Sequence, residues 1–466
     1  MNTSFAFAAI RARLMRFVAF GLIALLVLSS PARAQSMLRD AETERFLHEI
    51  SRPIIEAAGL DPRSIEFYLI GDPSINAFVT GGQNIFVHSG LILKADNVNE
   101  LIGVIAHETG HIAGGHLIRS GDAISSAVNI SLLSLLAAVA AMAAGAGDAG
   151  MAIMGAGQTM AQGSFLAFSR SVEAVTDQAG ADFLERSGIS GKGLITFFQK
   201  LQEMEFRYGY TQDAYVRTHP LTGDRIQKLQ ERVQASPYYN KEPDAQQQAR
   251  FLRLQAKLAG YINEPARTFQ MYPETDVSTP ARLARAYAWH KLAEREKAEK
   301  EVDALLASAP NDPYFLEMKG QILLESGKVE ESLVPLRRSV QLAPHEPLIA
   351  TSLGHALVSM EDPELAKEAV TLLRRVVALD DENPFAWFQL GMAYSRLGDE
   401  PRAALASAER LSMSYGSNPA EVVYHARRAV SGLPKNTPEW LRAQDILLIS
   451  QEAVKNARGK GQRRRG

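Results

Sequence analysis

Apolar positions fall at helical spacing through most of this 466-residue chain, and strand-like runs are confined to a short stretch before residue 90. Residues 40–60 read as an amphipathic helix. Ile65 to Ile70 is apolar and β-prone, and Asn76 to Val79 and Asn84 to His88 follow it, with Gly71-Asp72-Pro73 and Gly81-Gly82 as turns between them. These runs predict a small sheet. Asn99 to Leu117 then carries Leu101, Val104, Ile105 and Ile112 at helical period, with Asn97 or Asn99 placed to cap it. Residues 168–235 are helical again, Pro237 to Pro243 reads as a linker, and the remainder is helix after helix. The fold class expected is mainly α, with an α+β domain built around the small sheet and an all-α domain after it.

Residues 123–166 break the amphipathic pattern. Ala127 to Ala144 holds only small and apolar residues apart from Asn129, Ser131 and Ser134, and a Gly/Ala/Met stretch runs on to Met160. The favoured expectation is a pair of small-residue helices packed closely over the domain core, because Ala and Gly insert weakly into membranes and pack tightly. A membrane-apposed lid is the intermediate reading, and a span at 127–144 is the rival, since 18 such residues meet the lower limit for one.

The second half repeats. Pro313 recurs at Pro347 and Gly320 at Gly354, each 34 residues on; Pro384 and Gly391 continue the series after 37, with an insertion around Glu361 to Glu364. The pattern resembles tetratricopeptide repeats, clearly over 280–415 and weakly over 245–280 and 419–455. Such repeats stack into a concave superhelix that binds peptides or partner proteins.

Formal net charge is −2, so no global field draws the chain to nucleic acid. Residues 1–34 have the layout of a secretory signal: Arg11, Arg13 and Arg16, an apolar run from Phe17 to Leu28, and small residues at Ala32 and Ala34. Cleavage after Ala34 would remove four arginines and no acid, taking the charge from −2 to −6. The chain has no cysteine, which excludes disulfides, cysteine metal ligands and a lipid-modified cysteine at the cleavage site. A bacterial periplasm is the expected location. The expected layout is a signal at 1–34, a catalytic domain at 35–236, repeats at 245–455 and a basic tail at 456–466 that touches solvent.

The chemistry centres on His107-Glu108-Thr109-Gly110-His111. Two histidines four apart leave one helical face a turn apart, so two neutral imidazoles can meet one Zn²⁺. Glu108, rotated about 100° from His107, is placed to act as general base on a metal-activated water. A catalytic zinc needs a third protein ligand and an open position. His116 is near but falls one residue short of the spacing that a ligand on this pattern would need. Glu173 is the better candidate, paired with Asp177 one turn on: one carboxylate could close the zinc triad and the other could accept the free N–H of a ligating imidazole. His219, held extended by Pro220, can reach a metal from the side opposite the helix. An edge strand at Asn76, Ala77 and Phe78 would bind a substrate backbone as an added strand.

Residues 65–230 resemble the gluzincin metallopeptidases that include the HtpX membrane protease and the CAAX prenyl protease. The resemblance is carried by Asn76-Ala77-Phe78, Gly81 to Gly90, His107 to His111, Ser169-Arg170 through Glu173 to Asp177, and Thr218-His219-Pro220 through Arg225. It implies that His107, His111 and Glu173 bind one zinc ion and that Glu108 is the base. It further implies that Asp177 supports a ligand, and that His219 and Arg225 lie near the metal. There either would stabilise the oxyanion, or His219 would fill the open position at rest. Signal, peptidase domain and repeats together resemble the periplasmic branch of that family. That branch implies misassembled outer-membrane β-barrel proteins as clients, the barrel-assembly machinery as partner, peripheral membrane contact and a chaperone role. A scaffold with a latent protease, working through its repeats, is the alternative. The family often has Ala before the aspartate where this chain has Thr176, which puts only the packing there in question.

Overall fold

The computed structural model describes residues 36–143, 147–208, 215, 218–414 and 416–463. The signal at 1–34 and the last three residues of the basic tail lie outside them. Strands β1 (Ser36–Leu38), β2 (Glu66–Gly71), β3 (Ala77–Thr80) and β4 (Asn84–His88) form one sheet in the order β1-β2-β4-β3. β2 and β4 are parallel; β3 and β4 form an antiparallel hairpin closed by Gly81 and Gly82, both at positive φ. β3 is therefore an edge strand.

Helix α1 (Ala41–Ala57) is capped by Asp40, which accepts from the Thr43 amide, and buries Phe46, Leu47, Ile50, Ile54 and Ile55. After the short α2 (Ser89–Lys94) comes α3 (Val98–Ala113), which carries the two-histidine motif. Asn97 is its cap, accepting from the Glu100 amide, while Glu100 accepts in turn from the Asp96 amide. Every residue of α3 from Val98 to Gly110 is buried. The helix expected to run to Leu117 stops at Ala113, because Gly115 takes a positive φ of 60° and turns the chain into α4 (His116–Ala143).

α4 and α5 (Gly147–Arg186) pack side by side as a hairpin, with Gly157 of α5 pressed against Ser134 of α4. The packing is as expected; the position over the core is not. Leu132, Leu133, Leu136, Val139, Met151 and Met160 face outward, Leu133 67% exposed, and among the described residues the main core takes none from 113–178. The reason is length: 28- and 40-residue helices outrun the small domain beneath them. No helix among the described residues is long and apolar enough to cross a membrane. The far end of α5 returns to the core through Ala181, Phe183 and Leu184 and meets α6 (Lys192–Tyr208) and α7 (Gly223–Gln234).

The C-terminal half is a succession of helical hairpins: α8 (Ala245–Ile262) with α9 (Pro265–Met271), then α10 (Thr279–Lys291), α11 (Arg295–Ser308), α12 (Pro313–Glu325), α13 (Val329–Leu342), α14 (Pro347–Ser359), α15 (Pro363–Leu379), α16 (Pro384–Arg396), α17 (Glu400–Met413), α18 (Pro419–Gly432) and α19 (Pro438–Arg463). The recurring residues have a physical reason. Proline opens α12, α14 and α16 at the position where its missing N–H costs nothing. A Cβ on Gly320 would fall 2.4 Å from Leu336, and one on Gly354 would fall 2.5 Å from Leu373, so each glycine admits the leucine of its partner helix. The basic stretch after 456 continues α19 as far as Arg463.

The two halves are joined by more than the linker. Phe251, Leu254 and Leu258 of α8 complete the peptidase core. Beside them Lys257 is buried against Asp40 (2.5 Å) and Glu42 (3.3 Å), and Arg253 bridges Glu42 and Asp312, each at 2.6 Å. Arg39 reaches Asp380 and Arg45 reaches Glu346.

α3 is held at backbone distance by α6: a Cβ on Gly103 would lie 2.8 Å from the Leu194 backbone. Gly103→Ala should therefore destabilise the protein by about 1–3 kcal/mol through overpacking. Urea unfolding followed by circular dichroism checks this; an unchanged midpoint would show that the two helices can separate without cost.

Candidate active site

The site forms where α3, α5 and the Thr218–Arg225 segment meet. Gly110, inside the motif, has a structural task. A Cβ there would come within 2.9 Å of Thr176, so its absence lets α5 lie against α3. Gly180 does the same one turn later against the Ala106 backbone, at 3.3 Å. This close approach carries Glu173 and Asp177 to the histidines. All of His107, Glu108, Glu173, Asp177, His219 and Arg225 are buried.

Four donors converge: His107, His111, Glu173 and His219. His107 Nε2 lies 3.2 Å from His111 Nε2, 3.3 Å from His219 Nδ1 and 3.3 Å from Glu173 Oε2. Glu173 Oε1 lies 3.4 Å from His111 Nε2, and both its oxygens lie 3.2 Å from His219 Nδ1. All four donor atoms fall within 4.8 Å of one another. Four N and O ligands arranged tetrahedrally about 2.0–2.1 Å from a zinc ion would stand about 3.3 Å apart. The separations match, so the donor set fits such an ion.

A ring of supporting contacts fixes these donors. His107 Nδ1 faces Asp177 Oδ1 at 3.0 Å. Asp177 accepts from Arg225 Nε at 2.7 Å and Nη2 at 2.9 Å, and Arg225 Nη2 also lies 3.1 Å from Glu173 Oε2. The remaining terminal nitrogen of Arg225 donates to the Pro220 carbonyl at 2.7 Å. The guanidinium thus turns Nε and both terminal nitrogens toward carboxylates and backbone, which makes it a positioning group. His111 Nδ1 meets His116 Nδ1 at 3.2 Å, and Thr176 Oγ1 lies 3.1 Å from the same His116 nitrogen.

The electrostatics follow from burial against pairing. Burial works against a charged His107, but Asp177 and Glu173 outweigh it and push its pKa up to about 10. Burial takes His111 down to about 4. Burial opposes ionisation of Glu173 as well, yet contacts to His107, His111 and His219 hold it well below the carboxylate range. Glu108 has no such partners: burial raises its pKa, and among the described residues neither oxygen has a hydrogen bond. Its Oε1 lies 3.6 Å from His219 Nε2.

Residues 41–233 match the family model for Peptidase family M48. The chain is a metalloendopeptidase, similar to that family over this stretch. Along most of its length it is similar to the beta-barrel assembly-enhancing protease of Yersinia pestis, 25% identical over 388 residues, covering 81% of this chain and 77% of that one. The metalloprotease LoiP of Escherichia coli (strain K12) is 32% identical over 175 residues, 37% of this chain and 64% of that one. The mitochondrial metalloendopeptidase OMA1 of Schizosaccharomyces pombe is 26% identical over 189 residues, 41% and 52% of the two chains.

Of the residues read from the sequence, the structure brings His107, Glu108, His111, Glu173, Asp177, His219 and Arg225 into one cluster. Asn76, Ala77 and Phe78 stand at the sheet edge instead: Asn76 and Ala77 are buried, and Phe78 stacks on Phe86 at 5.1 Å. Two residues of the M48 site were not anticipated as members. His116, set aside as a ligand, supports His111. Tyr215 stacks on His219, ring centres 4.6 Å apart; one hydrophobic residue four before a histidine gave no signal of its own.

Arg225→Met removes the cation from a buried pair and strands Asp177. The expected loss of stability is about 3–5 kcal/mol. Chemical denaturation of the variant measures it, and a loss under 1 kcal/mol would mean that the pair is not confined as described.

Proposed function

We propose that this chain is a zinc-dependent endopeptidase of the periplasm that hydrolyses misassembled outer-membrane and other envelope proteins. The observation that carries it is the match between the donor separations at His107, His111, Glu173 and His219 and a tetrahedral zinc site. Bound there, zinc would supply the Lewis acidity that polarises the scissile carbonyl and acidifies a water.

The remaining work falls to side chains of this protein. Glu108 takes the proton of the attacking water and passes it to the leaving amine. Burial raises its pKa, the direction that makes a carboxylate a stronger base. His107 and His111 present Nε2 to the ion, with Asp177 and His116 on the opposite ring nitrogens to hold the rings. Arg225 anchors Asp177 and Glu173. His219 Nδ1 would complete the donor set and so fill the position that a substrate needs. Such an arrangement would be a resting form, from which His219 would have to withdraw. That closed set is also what favours a second reading, in which the protease is latent and the protein works as a scaffold or chaperone through its repeats.

Client handling follows from similarity to the beta-barrel assembly-enhancing protease and from shape. The concave side of the repeats and the N-terminal strand enclose a cavity of about 470 Å³, walled by Tyr261, Tyr287, Glu317, His355 and Phe385. It would hold part of a client or of the barrel-assembly machinery, and the exposed faces of α4 and α5 would supply a peripheral membrane contact. The β3 edge would take an extended segment as an added strand.

Purified wild type and Glu108→Gln should each hold one equivalent of zinc, while only the wild type degrades an unfolded envelope protein. Cleavage by Glu108→Gln at the wild-type rate would remove Glu108 from the mechanism, and full rescue of a deletion strain by that variant would favour the scaffold. His107→Ala should lose the metal; zinc kept at full stoichiometry would refute the ligand set.

A further inference from the structure

Beside the zinc, the roles above assign no side-chain donor among the described residues to the oxygen of the scissile carbonyl. Peptide hydrolysis places negative charge on that oxygen, and a fixed donor aimed at it is a large part of catalysis. Arg225 is committed to Asp177, Glu173 and Pro220. Glu108 is an acceptor, and His219 sits among the metal donors.

One polar group at the site has no task. Tyr215 is fully buried, and its hydroxyl has no hydrogen-bond partner among the described residues. An unsatisfied buried hydroxyl costs about 1–3 kcal/mol, so its retention calls for a reason. The ring is held firmly. It stacks on His219 at 4.6 Å and 27°, meets Phe197 edge-on at 6.3 Å, and lies 6.2 Å from Phe198 and 6.4 Å from His107.

Its backbone is tied on both sides. The Tyr215 amide donates to Ile75 O at 3.2 Å, beside the Asn76–Ala77 edge, and its carbonyl accepts from the His219 amide at 2.7 Å and from Thr218 Oγ1 at 3.0 Å. A strand bound along β3 would therefore pass the tyrosine on its way to the metal donors. A tyrosine hydroxyl is an O–H donor near neutral pH.

We infer that Tyr215 is a further catalytic residue, whose hydroxyl donates a hydrogen bond to the scissile carbonyl oxygen as negative charge develops there. The inference rests on the peptidase reading given above. It also gives the orphaned hydroxyl its partner: the substrate. The same ring that stacks on His219 in the resting arrangement then serves the oxygen that replaces His219.

Tyr215→Phe keeps the ring and removes only the donor. In the full-length protein, kcat on an unfolded substrate should fall about 100-fold, with KM within about twofold of wild type and zinc content unchanged. A phosphinate peptide mimicking the tetrahedral state should bind the variant weaker by a similar factor. The uncleaved peptide should bind Glu108→Gln and the Tyr215→Phe/Glu108→Gln double variant alike. A kcat within about threefold of wild type, equal phosphinate affinity, or loss of zinc from Tyr215→Phe would overturn the assignment, the last by showing a purely structural role. A wild type that neither cleaves the substrate nor binds the phosphinate would instead overturn the peptidase reading, and this inference with it.

Discussion

The near-contact of α5 with α3 is the constraint on which the site depends. Glu173 and Asp177 are more than sixty residues from the histidines in sequence, and the α4–α5 hairpin lies between them. They reach the histidines only because Gly110 and Gly180 remove the side chains that would hold the two helices apart. α6 closes on α3 in the same way: a Cβ on Gly193 would fall 2.4 Å from the Asn99 backbone. Glycine in a helix interior costs roughly 1 kcal/mol against alanine. Here that cost is offset by burial of an entire helix and by donor placement to a fraction of an ångström.

Charge explains why the cluster needs a cation. Glu108, Glu173 and Asp177 are buried with one guanidinium, Arg225, which leaves two negative charges if the imidazoles are neutral. A divalent ion at the four donors would neutralise that excess. Without one, a proton on His107 makes up part of the difference, which is what its pKa of about 10 expresses. The high affinity for that proton and the fit to a metal are thus two consequences of one field.

Much of this was legible in the sequence because it is local. The motif on α3, the pairing of Glu173 with Asp177 one turn on, the sheet hairpin and the 34-residue recurrence all follow from periodicity and turn chemistry within short windows. What escaped is set by chain reversals. His116 fails the linear spacing of a ligand, yet the positive φ at Gly115 folds it back onto His111. The resemblance set Arg225 near the metal, and only the return of α5 shows Asp177 against it. The α4–α5 hairpin was read correctly as close-packed helices but misplaced, since small residues say that two helices approach and say nothing of what lies beneath them.

The boundary between peptidase and repeats is the least local feature of all. A proline-rich linker at 237–243 separates the halves in sequence, but α8 buries Phe251 and Leu254 in the peptidase core while its Lys257 and Arg253 bind acids at the start of α1. Arg253 reaches onward to Asp312, the residue that caps α12. One helix thus completes the first core and begins the repeat array. Removing the repeats would strip both apolar cover and counter-charge from Asp40 and Glu42, so the peptidase domain is not a unit that stands without them. α8, α1 and α3 thus share one continuous core.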